Sequence, residues 1–83
     1  MDVLSGIAQK RFLVIGRVGM DLSPEPAGTG IEDAASMMVA MGGSSANIAA
    51  GLVKFGAEAA LVTRVSDDAV GRYCVAQLGA YGV

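Results

Sequence analysis

The 83-residue sequence has no histidine, no tryptophan and a single cysteine. Without histidine, neither a Ser-His-Asp nor a Cys-His relay can be built from this chain alone. The usual zinc sites need several Cys or His ligands, which one cysteine cannot supply. Cys74 also cannot close an internal disulfide, so nothing points to a cross-linked secreted mini-domain. Charge is scarce as well. Six basic and eight acidic residues leave a net charge of -2, which gives no electrostatic case for nucleic-acid binding. Long apolar runs are missing. Phe12–Ile15 falls far short of the ~20 residues of a spanning helix. It is also shorter than the roughly 7–15 residues of a signal-peptide core. A cytoplasmic location is the expectation these absences leave.

What is present is apolar and glycine-rich. Hydrophobic residues make up 53% of the chain, too many for a disordered segment, and there are twelve glycines. A chain of this length buries roughly 60–65% of its unfolded surface, enough for one small core. Free-standing small domains spend more charge on their surface. The composition therefore reads as part of a larger protein whose remainder covers these apolar faces.

Residues 1–10 read as a weakly structured leader. Phe12–Gly16 is a short continuous apolar run, the pattern of a strand buried on both faces of a parallel sheet. Residues 22–31 hold both prolines, Pro24 and Pro26, with Gly28 and Gly30, and read as a loop or irregular excursion. Residues 31–41 fit either a helix or a strand. Gly42-Gly43-Ser44-Ser45 is a turn into a helix over 46–55, with Ile48, Leu52 and Phe55 as its apolar stripe. Ser44 or Ser45 is the expected N-cap and Gly56 the residue just past the end. Ala59–Val65 reads as a second strand. Ser66 is expected to cap a second helix that carries Asp67 and Asp68 in its first turn and runs to about Tyr81, with Gly82 as the stop. Its inner face is expected to hold Val70, Tyr73, Cys74 and Leu78. Helix-strand-helix with short connections is the rhythm of an open α/β sheet.

The Gly42–Asn47 turn carries the most chemistry. Two glycines allow close backbone approach, the turn opens a helix N-terminus, and Asn47 adds one acceptor and two donors. That set suits a polyhydroxylated or anionic small molecule; a tight turn with a serine cap accounts for it equally. A phosphate-binding loop is excluded, because no Gly-Lys pair exists. The dinucleotide fingerprint fails too, because Asp33 stands where the third glycine should be. Asp21 follows the first strand and is expected at its carboxyl end, where α/β sheets collect ligands. Its alternative is an ordinary turn aspartate. Arg17 and Arg64 could meet an anionic substrate, and a solvated arginine explains each as well. Asp67-Asp68 reads as helix-terminal charge, and Cys74 as inert core.

Three blocks then resemble a known family. Phe12–Asp21 resembles the opening strand and aspartate of the ribokinase-like (PfkB) carbohydrate kinases. Gly42–Ala49 resembles their N-terminal Gly-Gly signature, and Leu61–Arg72 the strand-helix stretch that follows. Ser45 departs from the Gly, Ala or Pro of that signature, and Ser66 from a glycine. The resemblance implies a partial three-layer α/β/α sandwich with a small β-lid over residues 22–41, inside a single kinase domain. It implies substrate hydrogen bonds from Asp21, Gly43 and Asn47, with Gly42 allowing close approach. It implies ATP and Mg2+ as cofactors and a homodimer through the lid. The family's Gly-Ala-Gly-Asp turn, which carries the catalytic aspartate and cradles the phosphates, does not occur in this sequence. No catalytic residue is assigned, and the nucleotide site is expected elsewhere in a longer protein. Gly30–Ser36, with its acidic pair, narrows the resemblance to kinases of keto-deoxy sugar acids and implies 5-dehydro-2-deoxygluconate as acceptor. A nucleoside kinase of the same superfamily and a non-catalytic sugar-binding or partner-subunit chain are the alternatives.

Overall fold

The computed structural model describes residues 3–83; Met1 and Asp2, the start of the expected leader, lie outside the described residues. In chain order the elements are α1 (Val3–Ala8), β1 (Arg11–Ile15), β2 (Gly19–Glu25), a 3-10 turn (Ile31–Asp33), β3 (Ser36–Gly42), α2 (Ser44–Lys54), β4 (Glu58–Val62) and α3 (Ala69–Tyr81). The α/β class is the one expected, and the opening strand and the closing helix, strand and helix follow in the expected order. The rest of the leader is not unstructured: Val3–Ala8 is a short helix.

Two sheets of two strands form the frame. β1 and β4 run parallel, with Leu13 opposite Ala60 and Ile15 opposite Val62. α2 packs on both strands. The alternation is not that of a strand covered on both sides. Phe12 and Val14 are half-buried, while Leu13 and Ile15 are 66% and 74% exposed. Among the described residues, helices cover only one face of this sheet.

β2 and β3 form an antiparallel ribbon, with Met20 opposite Met41, Leu22 opposite Val39, and Pro24 opposite Met37. Residues 22–25, expected as loop, are therefore strand, and 36–42 resolve to strand and not helix. Pro24 does not end β2, because each strand of a two-stranded ribbon has one free edge where a missing N–H costs nothing. Directly opposed residues share a face. One face of the ribbon is thus wholly apolar (Met20, Leu22, Pro24, Met37, Val39, Met41), and the other holds Asp21, Ser23 and Glu25.

α2 turns a different side inward from the one its large residues suggest. Ala46, Ala49 and Ala50 are its buried positions, whereas Ile48 and Phe55 are exposed. Alanines at i, i+3 and i+4 let the helix lie close on the sheet. Its N-cap is Gly43, not Ser44 or Ser45, and no side chain caps it. Its end is as expected. Gly56 has φ 93° and its N–H donates to the Val53 carbonyl at 2.9 Å; the Ala57 N–H donates to Leu52 at 3.1 Å, which closes a Schellman motif.

α3 also starts later than its serine suggests. Asp68 is the N-cap and accepts from the Gly71 N–H at 3.0 Å, while the Ser66 hydroxyl donates to Asp68 Oδ1 at 2.6 Å. Both bonds stabilise the ionised form and hold the Asp68 carboxyl below its ordinary pKa, the serine contact contributing most. Cys74 and Leu78 are buried as expected, Val70 is exposed, and Gly71 joins the inner face. Gly82, at φ 88°, ends the helix.

Candidate functional site

The root of the ribbon is where the sheet, the ribbon and α2 meet. β1 ends at Ile15, and only Gly16–Val18 separate it from β2. β3 returns to the same point, where Gly42 pairs with Gly19. One residue, Gly43, then turns the chain into α2. Gly43 has φ 95°, which favours glycine. A Cβ here would also stand 2.6 Å from the Arg17 carbonyl oxygen. That carbonyl accepts the Ala46 N–H at 3.3 Å and ties the β1–β2 connection to the first turn of α2. Gly16 faces the Ser45 side chain so closely that a Cβ there would overlap its hydroxyl.

Asp21 lies inside β2, six residues past the end of β1, and not at the carboxyl end of the first strand. Its carboxylate occupies the space that a side chain at Gly42 would need. A cavity of about 400 Å³ opens beside it, lined by Arg17, Val18, Gly19, Met20, Asp21, Gly43 and Ser44. The structure therefore brings Asp21, Gly42 and Gly43 together. Asn47 sits apart from them, in a smaller groove of about 190 Å³ with Met41, Ala50, Gly51, Lys54 and Tyr81. There the Lys54 ammonium lies 5.7 Å from the centre of the Tyr81 ring, within cation–π range.

Among the described residues no three His, Cys, Asp or Glu side chains group as a metal site would require. Among the described residues, no helix is long and apolar enough to cross a membrane.

A profile of the pfkB family carbohydrate kinases matches residues 9–83. The chain belongs to the PfkB family of carbohydrate kinases. The chain is 33% identical over 72 residues to the 5-dehydro-2-deoxygluconokinase of Geobacillus thermodenitrificans, an overlap covering 87% of this chain and 21% of that protein. The enzyme of the same name from Photobacterium profundum is 39% identical over 61 residues, covering 74% and 18%. Among solved structures, the 2-dehydro-3-deoxygluconokinase of Thermotoga maritima superposes with a TM-score of 0.83 at 30% identity, over 89% of this chain and 22% of that one. A PfkB family carbohydrate kinase from Listeria grayi gives 0.82 at 27% identity, over 90% and 23%. The chain spans about a fifth of the length of the curated relatives it matches. The ribokinase-like fold expected from the three sequence blocks is thus the fold observed.

Within this PfkB chain, two features of the site escaped the sequence. One is the packing of Asp21 onto Gly42 across the ribbon; alternation of polar and apolar residues over 19–25 was its available signal, masked by Pro24. The other is that Arg17, already a candidate for an anionic substrate, lines the same cavity as Asp21, which depends on the three-residue connection lying against Gly43.

Proposed function

We propose that these residues form the sugar-facing part of an ATP-dependent carbohydrate kinase. Asp21, Gly42 and Gly43 are its substrate-binding positions, and Asn47, expected with them, lines the separate groove. The observation that carries the reading is the Asp21 carboxylate packed on Gly42 beside the Gly43 turn, at the edge of a cavity of a size that suits a small ligand. A carboxylate accepts two hydroxyl hydrogen bonds, and a glycine turn lets the backbone amide come close. Such groups position the acceptor hydroxyl, and positioning is a large part of catalysis in phosphoryl transfer. MgATP and the base that takes the hydroxyl proton would be held by parts of the protein outside these residues. The names of the relatives support 5-dehydro-2-deoxygluconate as the acceptor. The β2–β3 ribbon serves as a lid, with its Asp21 face toward the sugar. Its apolar face, where Leu22 and Val39 are 53% and 46% exposed, suits pairing with a second copy.

The test is phosphoryl transfer by the full-length protein from ATP and Mg2+ to a panel of sugars, sugar acids and adenosine. Transfer to 5-dehydro-2-deoxygluconate is expected, with kcat/KM falling about 10- to 100-fold in Asp21→Asn. Transfer to adenosine alone would replace this reading with a nucleoside kinase. No transfer to any of them would overturn it.

A further inference from the structure

A site for neutral sugars needs hydroxyl acceptors and amide donors, not a full positive charge. The cavity at the ribbon root nevertheless has Arg17 on its wall, four residues before Asp21. The backbone of Arg17 is pinned. Its carbonyl accepts the Ala46 N–H and lies against the Cα of Gly43, so its side chain departs from a fixed point. The guanidinium itself has no ion pair or hydrogen-bond partner among the described residues, whereas Arg11 is paired with Glu58. Asp21 lines the same cavity but does not pair with Arg17; its carboxylate packs on Gly42 instead. Arg17 and Asp21 thus both belong to the wall of this cavity, and no ion pair joins them.

A separated pair of this kind orients a ligand that is itself polarised. A carboxylate near Asp21 would be repelled, and one near Arg17 attracted. Hydroxyls are served by Asp21. We propose that Arg17 binds the carboxylate of a sugar-acid substrate and so sets a preference for keto-deoxy sugar acids over neutral sugars. This rests on the carbohydrate-kinase reading above and adds the residue that selects the substrate class. A guanidinium is suited to the task because its planar fork matches a carboxylate with two parallel hydrogen bonds, which an ammonium cannot reproduce.

The experiment compares kcat/KM of the full-length protein for 5-dehydro-2-deoxy-D-gluconate and for D-fructose, both with MgATP. Wild type, Arg17→Met and Arg17→Lys are measured. The acid-over-fructose ratio is expected to fall about 10- to 100-fold in Arg17→Met, chiefly through KM for the acid. Arg17→Lys should recover part of it. An unchanged ratio, or an equal loss on both substrates, overturns the proposal. Calorimetric titration with D-gluconate in the absence of nucleotide separates this from failure of the kinase reading. If wild type transfers no phosphate at all, gluconate binding that disappears in Arg17→Met upholds the role of Arg17. Binding that persists in the variant, or none in wild type, overturns it.

Discussion

The carboxylate of Asp21 fills the space above the Cα of Gly42, its diagonal neighbour on the same face of the β2–β3 ribbon. Gly42 is not among the positive-φ glycines, so its backbone would accept alanine. What forbids a side chain is the carboxylate. Gly42→Ala is therefore expected to displace Asp21 and to lower kcat/KM of the full-length protein about as much as Asp21→Ala does. Because both act through one carboxylate, the double variant should be no worse than either single one. Additive losses in a double-mutant cycle would separate the two residues.

Gly71 and Gly79 occupy the same helix and should respond oppositely to alanine. A Cβ at Gly71 would run into the Ser66 backbone carbonyl, whereas nothing lies within 4 Å of one at Gly79. Gly71→Ala is expected to cost about 1–3 kcal/mol by overpacking. Gly79→Ala should gain up to about 1 kcal/mol from helix propensity. Urea unfolding of the two variants checks the signs.

The cap of α3 titrates. The Ser66 hydroxyl and the Gly71 N–H lower the pKa of Asp68 in the folded state. Its contribution is therefore fully present above the unfolded value, near pH 4, and is lost as the pH falls through the lower folded value. The stability difference between wild type and Asp68→Ala should be flat between pH 6 and 8 and shrink on acidification. Asp68→Asn keeps a good N-cap and should not show that acid dependence. Unfolding midpoints across pH 2–8 would show it.

The apolar face of the ribbon makes a prediction about assembly. Leu22 and Val39 oppose one another at its centre and are about half exposed. If the full-length protein pairs through this face as proposed, placing Asp at either position should shift it from dimer to monomer. Light scattering at several concentrations reads the change; a protein already monomeric at high concentration would remove the lid from the interface.

The sequence was most legible where a single residue type decides the outcome. Gly56 and Gly82 end their helices because a positive φ is needed at each, and the apolar run at 12–15 is a strand, whereas the strand expected over 59–65 ends at Val62. Legibility failed where tertiary contacts compete with local preference. Ser44 and Ser45 are good caps, yet Gly43 takes the position because the Arg17 carbonyl leaves no room for a side chain. Ser66 loses the cap of α3 to Asp68, which reaches the Gly71 N–H. Ile48 and Phe55 look like a core stripe, yet close approach of α2 to the sheet selects alanines. At the site, Asp21 was legible as a candidate, but its place on a ribbon and its contact with Gly42 depend on a strand that Pro24 disguises. Asn47, four residues after Gly43, lies in a different groove with Lys54 and Tyr81.

Asp21 and Gly43 stand on different supports. Asp21 belongs to the ribbon, and Gly43 opens the helix that packs on the parallel sheet. The two supports are joined by short strips of chain rich in glycine, at Gly16–Gly19 and Gly42–Gly43. A cavity with a wall on each has a width set by the angle between them. A molecule gripping both walls acts as a buckle, fastening the ribbon at one inclination, and the fit of that molecule then decides how far the strap can lie from the body.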